Sequence, residues 1–375
     1  MTGAPPGASG GEGRTVVVKL GSSSVTGPDG GLDPVAVEGL CGEVAALHGE
    51  GHSVVLVSSG AIAAGWAVIG GGPRPADLAT LQAVSAIGQH RLMRLYDDAL
   101  GARGLHVGQV LLAPLDFAHR QQYLHARQTL ARLLELGVVP VVNENDATSD
   151  DEIRFGDNDR LAALVAHLVA ADLLLLLTDT PGLFTADPRS DEQASLIEEV
   201  EAVDHELEAA AGGAGSEVGS GGMVSKLAAA RIAAWSGVAT VIAHAGRPGV
   251  LGAALRGETG VGTVFRARGR RLPARKLWIA FALAPAGVLH VDEGARRALV
   301  EAEASLLPAG VVRAEGGFGA EDAVEIAGPD GIVFAKGLVR HDSAALAALA
   351  GRRTGDLPEG TVHEVVHRDD LVVLV

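Results

Sequence analysis

Cysteine is almost missing from this chain of 375 residues: Cys41 stands alone, which excludes an internal disulfide and a cysteine-based zinc site. It lies on a helical stripe with Val37, Leu40 and Val44, so it reads as a small buried hydrophobe rather than a nucleophile, and a reducing cytoplasm fits. Aromatic residues are scarce as well, with seven Phe, three Trp and two Tyr, so Ala, Val and Leu must fill the core. Lysine is rare: Lys19, Lys226, Lys276 and Lys336 are the only four among 30 basic residues, and the rest are arginine. Where lysine persists, a compact flexible ammonium is wanted rather than a planar fork. No apolar run approaches the ~18 residues that a membrane helix needs. The longest strand-like run is five leucines, Leu173 to Leu177, between Asp172 and Thr178. Residues 1–14, mostly Gly, Pro, Ala and Ser, lack the apolar stretch of a signal peptide and read as a disordered tail. Basic residues are also outnumbered, 30 against 46 acidic, and the net charge of −16 argues against a duplex nucleic acid partner.

What the chain does have is apolar material, 47% of its residues, enough for two domains with large cores. From Thr15 to Phe265 strands and helices alternate. Strands are expected at Thr15–Leu20, Val54–Ser58, Val107–Leu112, Val138–Val142, Leu173–Leu177 and Ala239–Ala243. Helices are expected at Pro34–His48, Thr80–Leu100, Tyr123–Leu136 and Arg160–Ala170. Continuous apolar strands separated by helices predict a three-layer α/β sandwich with a mainly parallel sheet, whose ligands gather at the carboxyl ends of the strands. Residues 266–276, with Arg266, Arg268, Arg270, Arg271, Arg275 and Lys276, read as a solvated linker. Shorter strands follow at Lys276–Leu283, Gly287–Val291, Val311–Ala314, Ala323–Ile326, Ile332–Val339 and Glu364–Val375. They predict a small C-terminal β-barrel domain over residues 277–375.

The polar clusters fall where such a sheet would put a site. Lys19 and the turn Gly21-Ser22-Ser23-Ser24 close the first strand, where backbone N–H groups and a positive charge suit phosphate. Ser58-Ser59-Gly60-Ala61 closes the second and opens a helix. Gly219-Ser220-Gly221-Gly222-Met223-Val224-Ser225-Lys226 opens another, so that amide groups, the helix dipole and an ammonium converge. Asn143-Glu144-Asn145-Asp146 and Gly156-Asp157-Asn158-Asp159 bring amides and carboxylates that suit an α-ammonium and the positioning of lysines. Thr178 and Asp179 begin a loop that can meet a nucleotide's base and ribose.

Taken in order, these strings and His106-Val107-Gly108-Gln109 resemble the amino acid kinase family, and within it the branch that phosphorylates the γ-carboxylate of glutamate at the start of proline synthesis. The last hundred residues resemble the PUA domain that many members append, so the likeness runs from Thr15 to the C-terminus and gives the kinase domain residues 15–265. The resemblance implies the amino acid kinase fold and the substrates ATP, with Mg²⁺, and L-glutamate. Lys19 and Lys226 would hold the transferring phosphoryl group and Asp159 would orient them. Ser59, Asp146 and Asn158 would bind glutamate. Lys19, Thr178, Asp179, Ser220, Gly221, Gly222, Met223, Val224, Ser225 and Lys226 would bind ATP. It also implies a homo-oligomer, inhibition by proline, and a reductase to receive the acyl phosphate. Two positions depart from the family pattern, Ser220 where Thr is usual and Val224 where a small hydroxyl residue is common, and both leave the backbone donors intact.

Two rival readings carry less. A sibling kinase acting on aspartate, acetylglutamate, carbamate or UMP is disfavoured by the appended β domain and the Asn143–Asp146 string. An RNA-binding protein on a vestigial kinase fold is disfavoured by the intact Lys19, Asp159 and Lys226, and by a chain from Arg275 onward with 10 basic against 15 acidic residues. His363-Glu364-Val365-Val366-His367 spells the H-E-x-x-H string of zinc proteases, but its surroundings have the composition of a strand. On a strand the two imidazoles would stand ~13 Å apart, too far to share one zinc ion.

Overall fold

A computed structural model describes residues 13–28, 30–70, 75–113, 116–117, 119–148, 158–186, 188, 191, 193–203, 207, 222–269, 271–357 and 362–374. Backbone contacts divide the chain into two compact units, one ending at Arg271 and one beginning at Leu272.

The first unit is built on β1 (Thr15–Leu20), β2 (Ser53–Ser58), β3 (His106–Leu112), β4 (Val138–Glu144), β5 (Leu173–Thr178), β6 (Glu199–Val200), β7 (Ala239–His244) and β8 (Gly262–Phe265). They form one sheet in the order β3-β4-β2-β1-β5-β7-β8-β6, parallel throughout except for the antiparallel β7–β8 pair. From β1 the chain passes to β2, runs on to β3 at the edge, returns to β4 between β3 and β2, and then crosses to β5 on the other side of β1. Sheets that reverse in this way open a crevice at the carboxyl ends of the strands flanking the reversal. The helices are α1 (Pro34–Gly49), α2 (Ala61–Ile69), α3 (Leu78–Gly101), α4 (Arg120–Glu135), α5 (Asn158–Leu168), α6 (Met223–Trp235) and α7 (Val250–Leu255). The strands and helices predicted from apolar pattern in this unit are present, their ends moved by at most three residues.

Strand pleating decides which side chain meets which layer. Val16, Val18 and Leu20 join the core cluster shared with α1, α3 and α7. Val17 and Lys19 therefore point to the opposite face, where α5 packs on β1, β2 and β5 and against α6. α5 is buried along its whole length apart from Arg160, as expected of a helix apolar on nearly every side. Cys41 is fully buried in α1, and burial pushes its thiol up to about 12, consistent with a packing role.

The second unit contains α8 (Ala274–Leu277), β9 (Gly287–Val291), α9 (Glu293–Glu301), β10 (Val311–Gly316), β11 (Ala323–Ala327), β12 (Val333–Val339), α10 (Ser343–Leu349) and β13 (Val366–Val373). Its strands form a mixed five-stranded sheet in the order β10-β9-β11-β12-β13, wrapped on a core of residues such as Leu289, Ile326, Phe334 and Leu371. One expected strand is a helix: Lys276–Leu283 runs through α8 into a π-helical turn, Trp278–Ala282. An apolar run of this length fits a buried helix as well as a buried strand. The buried Lys336 ammonium supplies the missing constraint, donating to the carbonyls of Ala280 and Leu283 at the end of the turn. His363 precedes β13 and His367 lies within it, so the two histidines do not share a helical face.

The arginine-rich stretch has defined partners. Arg266 pairs with Glu199, and Arg268 stacks 3.7 Å above the Trp235 ring. Arg271 reaches the His167 carbonyl at 3.4 Å, and Arg275 pairs with Asp370 at 2.7 Å.

Candidate active site

Two polar networks meet at the start of α5, one on Asn158 and one on its neighbour Asp159. Asp159 is completely buried, yet it is an anion with two cationic partners. Its Oδ1 lies 2.6 Å from Lys19 Nζ, arriving from β1, and its Oδ2 lies 3.3 Å from Lys226 Nζ, arriving from the first turn of α6. Ser225 Oγ donates to the same Oδ2 at 2.9 Å. Burial acts to raise the Asp159 pKa, but the two ammonium groups and the hydroxyl outweigh it and hold the carboxyl below the ordinary carboxylate range. The lysines are only 4% and 5% exposed, so the pair of charges is placed rather than swept through solvent. These three side chains set two positive charges around one negative at the carboxyl edge of the sheet, in a strongly acidic chain.

The second network is neutral. Asn158 Nδ2 lies 2.9 Å from the Ser58 carbonyl, 3.0 Å from Ser59 Oγ and 2.8 Å from Asn143 Oδ1, three acceptors around its two hydrogens. Asn143 Oδ1 also accepts from the Glu144 N–H at 2.9 Å, and Asn143 Nδ2 donates to Gln89 Oε1 at 2.8 Å. One turn earlier on α3, Ser85 Oγ donates to Asp146 Oδ2 at 3.2 Å. Ser58 Oγ and the Tyr96 hydroxyl meet at 2.8 Å beneath the site.

Local backbone explains why these elements hold still. Gly60 starts α2 with φ +104°, and a Cβ there would come within 2.8 Å of Val25 Cγ2, so glycine alone fits the turn that aims Ser59. α2 then lies so close to α3 that a Cβ on Gly88 would fall 1.7 Å from the Ala61 carbonyl oxygen. The polar turn of α3, Ser85 to Gln89, is thus registered directly against the Ser59–Ala61 turn.

Of the residues singled out from sequence, the structure brings Lys19, Asp159, Ser225 and Lys226 into one cluster and Ser59 and Asn158 into the adjoining one. Asp146 is held by Ser85 just beyond β4. Thr178 and Asp179 stand apart from both networks in their hydrogen bonding: Thr178 Oγ1 donates to Asp179 Oδ1 at 3.0 Å at the end of β5, next to β1. Gly222 caps α6, Met223 is half-buried and Val224 is exposed. Ser220 and Gly221 lie outside the described residues. The sequence reading missed Ser85 and Gln89. They occupy i and i+4 on the buried stripe of α3 that Leu81, Val84, Leu92 and Tyr96 make apolar, and that mismatch was the available signal.

Comparison with known proteins places the chain in a family. The profile of the amino acid kinase family matches residues 14–244, and that of the PUA domain matches residues 287–360. The glutamate 5-kinase of Frankia casuarinae is 50% identical over 368 residues, covering 96% of this chain and 97% of that protein. The glutamate 5-kinase of Citrifermentans bemidjiense is 46% identical over 366 residues, covering 96% and 98%. That of Bifidobacterium adolescentis is 47% identical over 368 residues, covering 97% and 96%. Among solved structures, a UMP kinase from Bacillus anthracis aligns at TM-score 0.48 and 16% identity over 68% of this chain and 97% of that one. A parallel sheet with paired lysines at its carboxyl edge, a kinase profile over most of the chain and near-full-length relatives lead to one conclusion: the chain belongs to the amino acid kinase family, on its glutamate 5-kinase branch, with a PUA domain behind the kinase domain.

Proposed function

We propose that this kinase transfers the γ-phosphoryl group of ATP to the γ-carboxylate of L-glutamate, giving L-glutamate 5-phosphate and ADP. The observation that carries the reading is the Lys19–Asp159–Lys226 cluster, two buried ammonium groups held by one shared carboxylate. The acceptor carboxylate, with a pKa near ~4.3, is already ionised at neutral pH, so no general base has to remove a proton. A carboxylate oxygen attacks the γ-phosphorus, the bond from phosphorus to the bridging oxygen of ADP breaks, and no proton is exchanged in the step. Repulsion between the anionic nucleophile and the polyphosphate is the main obstacle, and preorganised positive charge is the remedy.

Lys19 and Lys226 face the transferring group from β1 and α6. Asp159 fixes the spacing between them. Because its carboxyl is held below the ordinary range, Asp159 stays an anion and serves as a strut rather than an acid. Both of its oxygens are bonded to lysines, so Mg²⁺ would enter with the nucleotide, held by phosphate oxygens rather than by Asp159, and would lower the charge on them. Ser59, Asp146 and Asn158 bind the amino-acid end of glutamate. Thr178, Asp179 and the turn from Ser220 to Lys226 bind ATP. Kinase domain and PUA domain are assigned residues 15–265 and 277–375, with 266–276 between them. The enzyme acts in the cytoplasm as a homo-oligomer, is inhibited by proline, and hands its labile acyl phosphate to a reductase.

The test is turnover with ATP, Mg²⁺ and glutamate, with hydroxylamine trapping the acyl phosphate, beside Lys19→Ala and Lys226→Ala. Glutamate-dependent hydroxamate that both variants lose, and that proline suppresses, supports the reading. ADP release with aspartate, acetylglutamate or UMP, and none with glutamate, overturns it in favour of a sibling activity.

A further inference from the structure

We infer that Gln89 is a positioning residue for the substrate amino acid, acting through a chain of three side-chain amides that fixes which atom Asn158 presents to the site; this rests on the glutamate reading above. A side-chain amide can in principle turn over and exchange its oxygen for its nitrogen. Here the first two members of the chain, Asn158 and Asn143, are pinned by backbone groups that cannot exchange roles. The Ser58 carbonyl only accepts, so the atom of Asn158 facing it must be Nδ2. The Glu144 N–H only donates, so the atom of Asn143 facing it must be Oδ1. Asn143 therefore offers Nδ2 to α3, and Gln89 must answer with Oε1. The polarity runs one way, Asn158 to Asn143 to Gln89, and it leaves Asn158 with Oδ1 as its remaining polar atom.

An amide oxygen can only accept, so it suits a donor on the substrate. Glutamate has one such charged donor, its α-ammonium. Gln89 thus helps decide that the site reads an amino acid.

Gln89 carries a mark of that duty. It is 8% exposed, and its own Nε2 is buried with no hydrogen-bond partner, a strained arrangement for a group that exists only to pack. The side chain tolerates an unpaired N–H2 because the alternative rotamer would set two donors against each other at Asn143. Without an acceptor from Gln89, the buried Asn143 N–H2 would be left unpaired as well. The side chain would then turn toward another acceptor and release Asn158. Lys19, Lys226 and Ser225 are held by Asp159 in the charged network instead.

The experiment compares the full chain with Gln89→Met, which removes the acceptor at similar length, and Gln89→Glu, whose carboxyl oxygen accepts from Asn143 in either protonation state. KM for glutamate and for ATP, kcat by hydroxamate, and thermal melting are measured on all three. Gln89→Met is expected to raise KM for glutamate by about three- to tenfold, the size of one lost hydrogen bond, with KM for ATP and kcat within about twofold. Gln89→Glu is expected to restore KM for glutamate to within about twofold of the parent. If Gln89→Met fails to fold, Gln89→Asn, whose acceptor falls one bond short, takes its place with the same expected KM shift.

Unchanged glutamate KM in the folded variant, or equal losses toward glutamate and ATP, overturns the inference alone. Equal impairment in Met and Glu variants also overturns it, since the donor Nε2 would then be the working atom. A parent that makes no glutamate-dependent hydroxamate overturns the functional reading, and this inference with it.

Discussion

The two ends of α5 bury polar side chains by opposite means. At the amino end Asp159 is fully buried and charged, because β1 and α6 each deliver an ammonium to it. At the carboxyl end His167 is 7% exposed and neither ring nitrogen has a hydrogen-bond partner. Burial pushes its pKa down to about 4, helped by the nearby Arg271 and Arg127, so at neutral pH the ring is uncharged and packs beside Tyr123. Both pKa values move downward, with contrary results: the acid keeps its charge and the base loses it. Burial disfavours the charged form at both ends, and only the end that supplies opposite charge can hold an ion. Within one helix the sequence thus separates an electrostatic site from an inert core.

The contrast breaks most visibly at Asp159. Asp159→Ala would remove the buried carboxylate that the two ammonium groups share. The expected losses are about 3–5 kcal/mol of stability, read from urea midpoints, and at least about 100-fold of hydroxamate formation. A variant that unfolds with the parent would mean the lysines shed their charge, and then both ends of α5 handle ionisable groups alike. Lys226→Met comes next. Turnover is expected to drop about 10²- to 10³-fold, with a smaller stability loss. The sign of the pH effect follows from Asp159: its folded pKa lies below the unfolded ~3.9, so its stabilisation is present above that value and is lost as pH falls through the folded one. Removing one ammonium lets burial lift the folded pKa, so the acid unfolding midpoint should move to higher pH. Acid titrations of parent and variant side by side decide it.

Much of this was legible in the sequence because it is written in local pattern. Val16-Val17-Val18 and the leucines of β5 could hardly be anything but buried strands, and glycine-rich turns after them marked the sheet edge. The four lysines in a chain full of arginine pointed to two of the three charged residues of the site. Less legible was anything decided by long-range contact. Gln89 and Ser85 are ordinary helix residues until β4 supplies Asn143 and Asp146 as partners. Lys276–Leu283 carried an apolar run without a period, and only Lys336, more than fifty residues away, closes it as a helical turn. His167 gave no signal, since its neutrality depends first on burial by long-range packing and then on arginines from α4 and from the stretch after β8.

The neutral end is tested by acid. The unfolded chain protonates its histidine near ~6.5, the folded one near about 4, so His167 favours folding fully above the first value and progressively less toward the second. The window amounts to up to about 3 kcal/mol. His167→Leu should therefore flatten the fall in unfolding free energy between pH 7.5 and pH 4.5 while leaving hydroxamate formation at pH 7.5 within about twofold of the parent. An undiminished slope in the variant would show that His167 already finds a proton in the fold.

The smallest effect sharpens the charged end. Ser225 Oγ lies 2.9 Å from Asp159 Oδ2 and also 2.9 Å from the Gly222 carbonyl, with one hydrogen to serve both. Its contribution to Asp159 is that of a shared neutral hydrogen bond, so Ser225→Ala should lower stability by about 1 kcal/mol and kcat/KM by about three- to tenfold. That is well short of the lysine variants. If the hydroxyl proved equal to a lysine, Asp159 would owe its place to the turn that opens α6 rather than to the two charges. The contrast between the ends of α5 would then be one of local geometry and not of electrostatics.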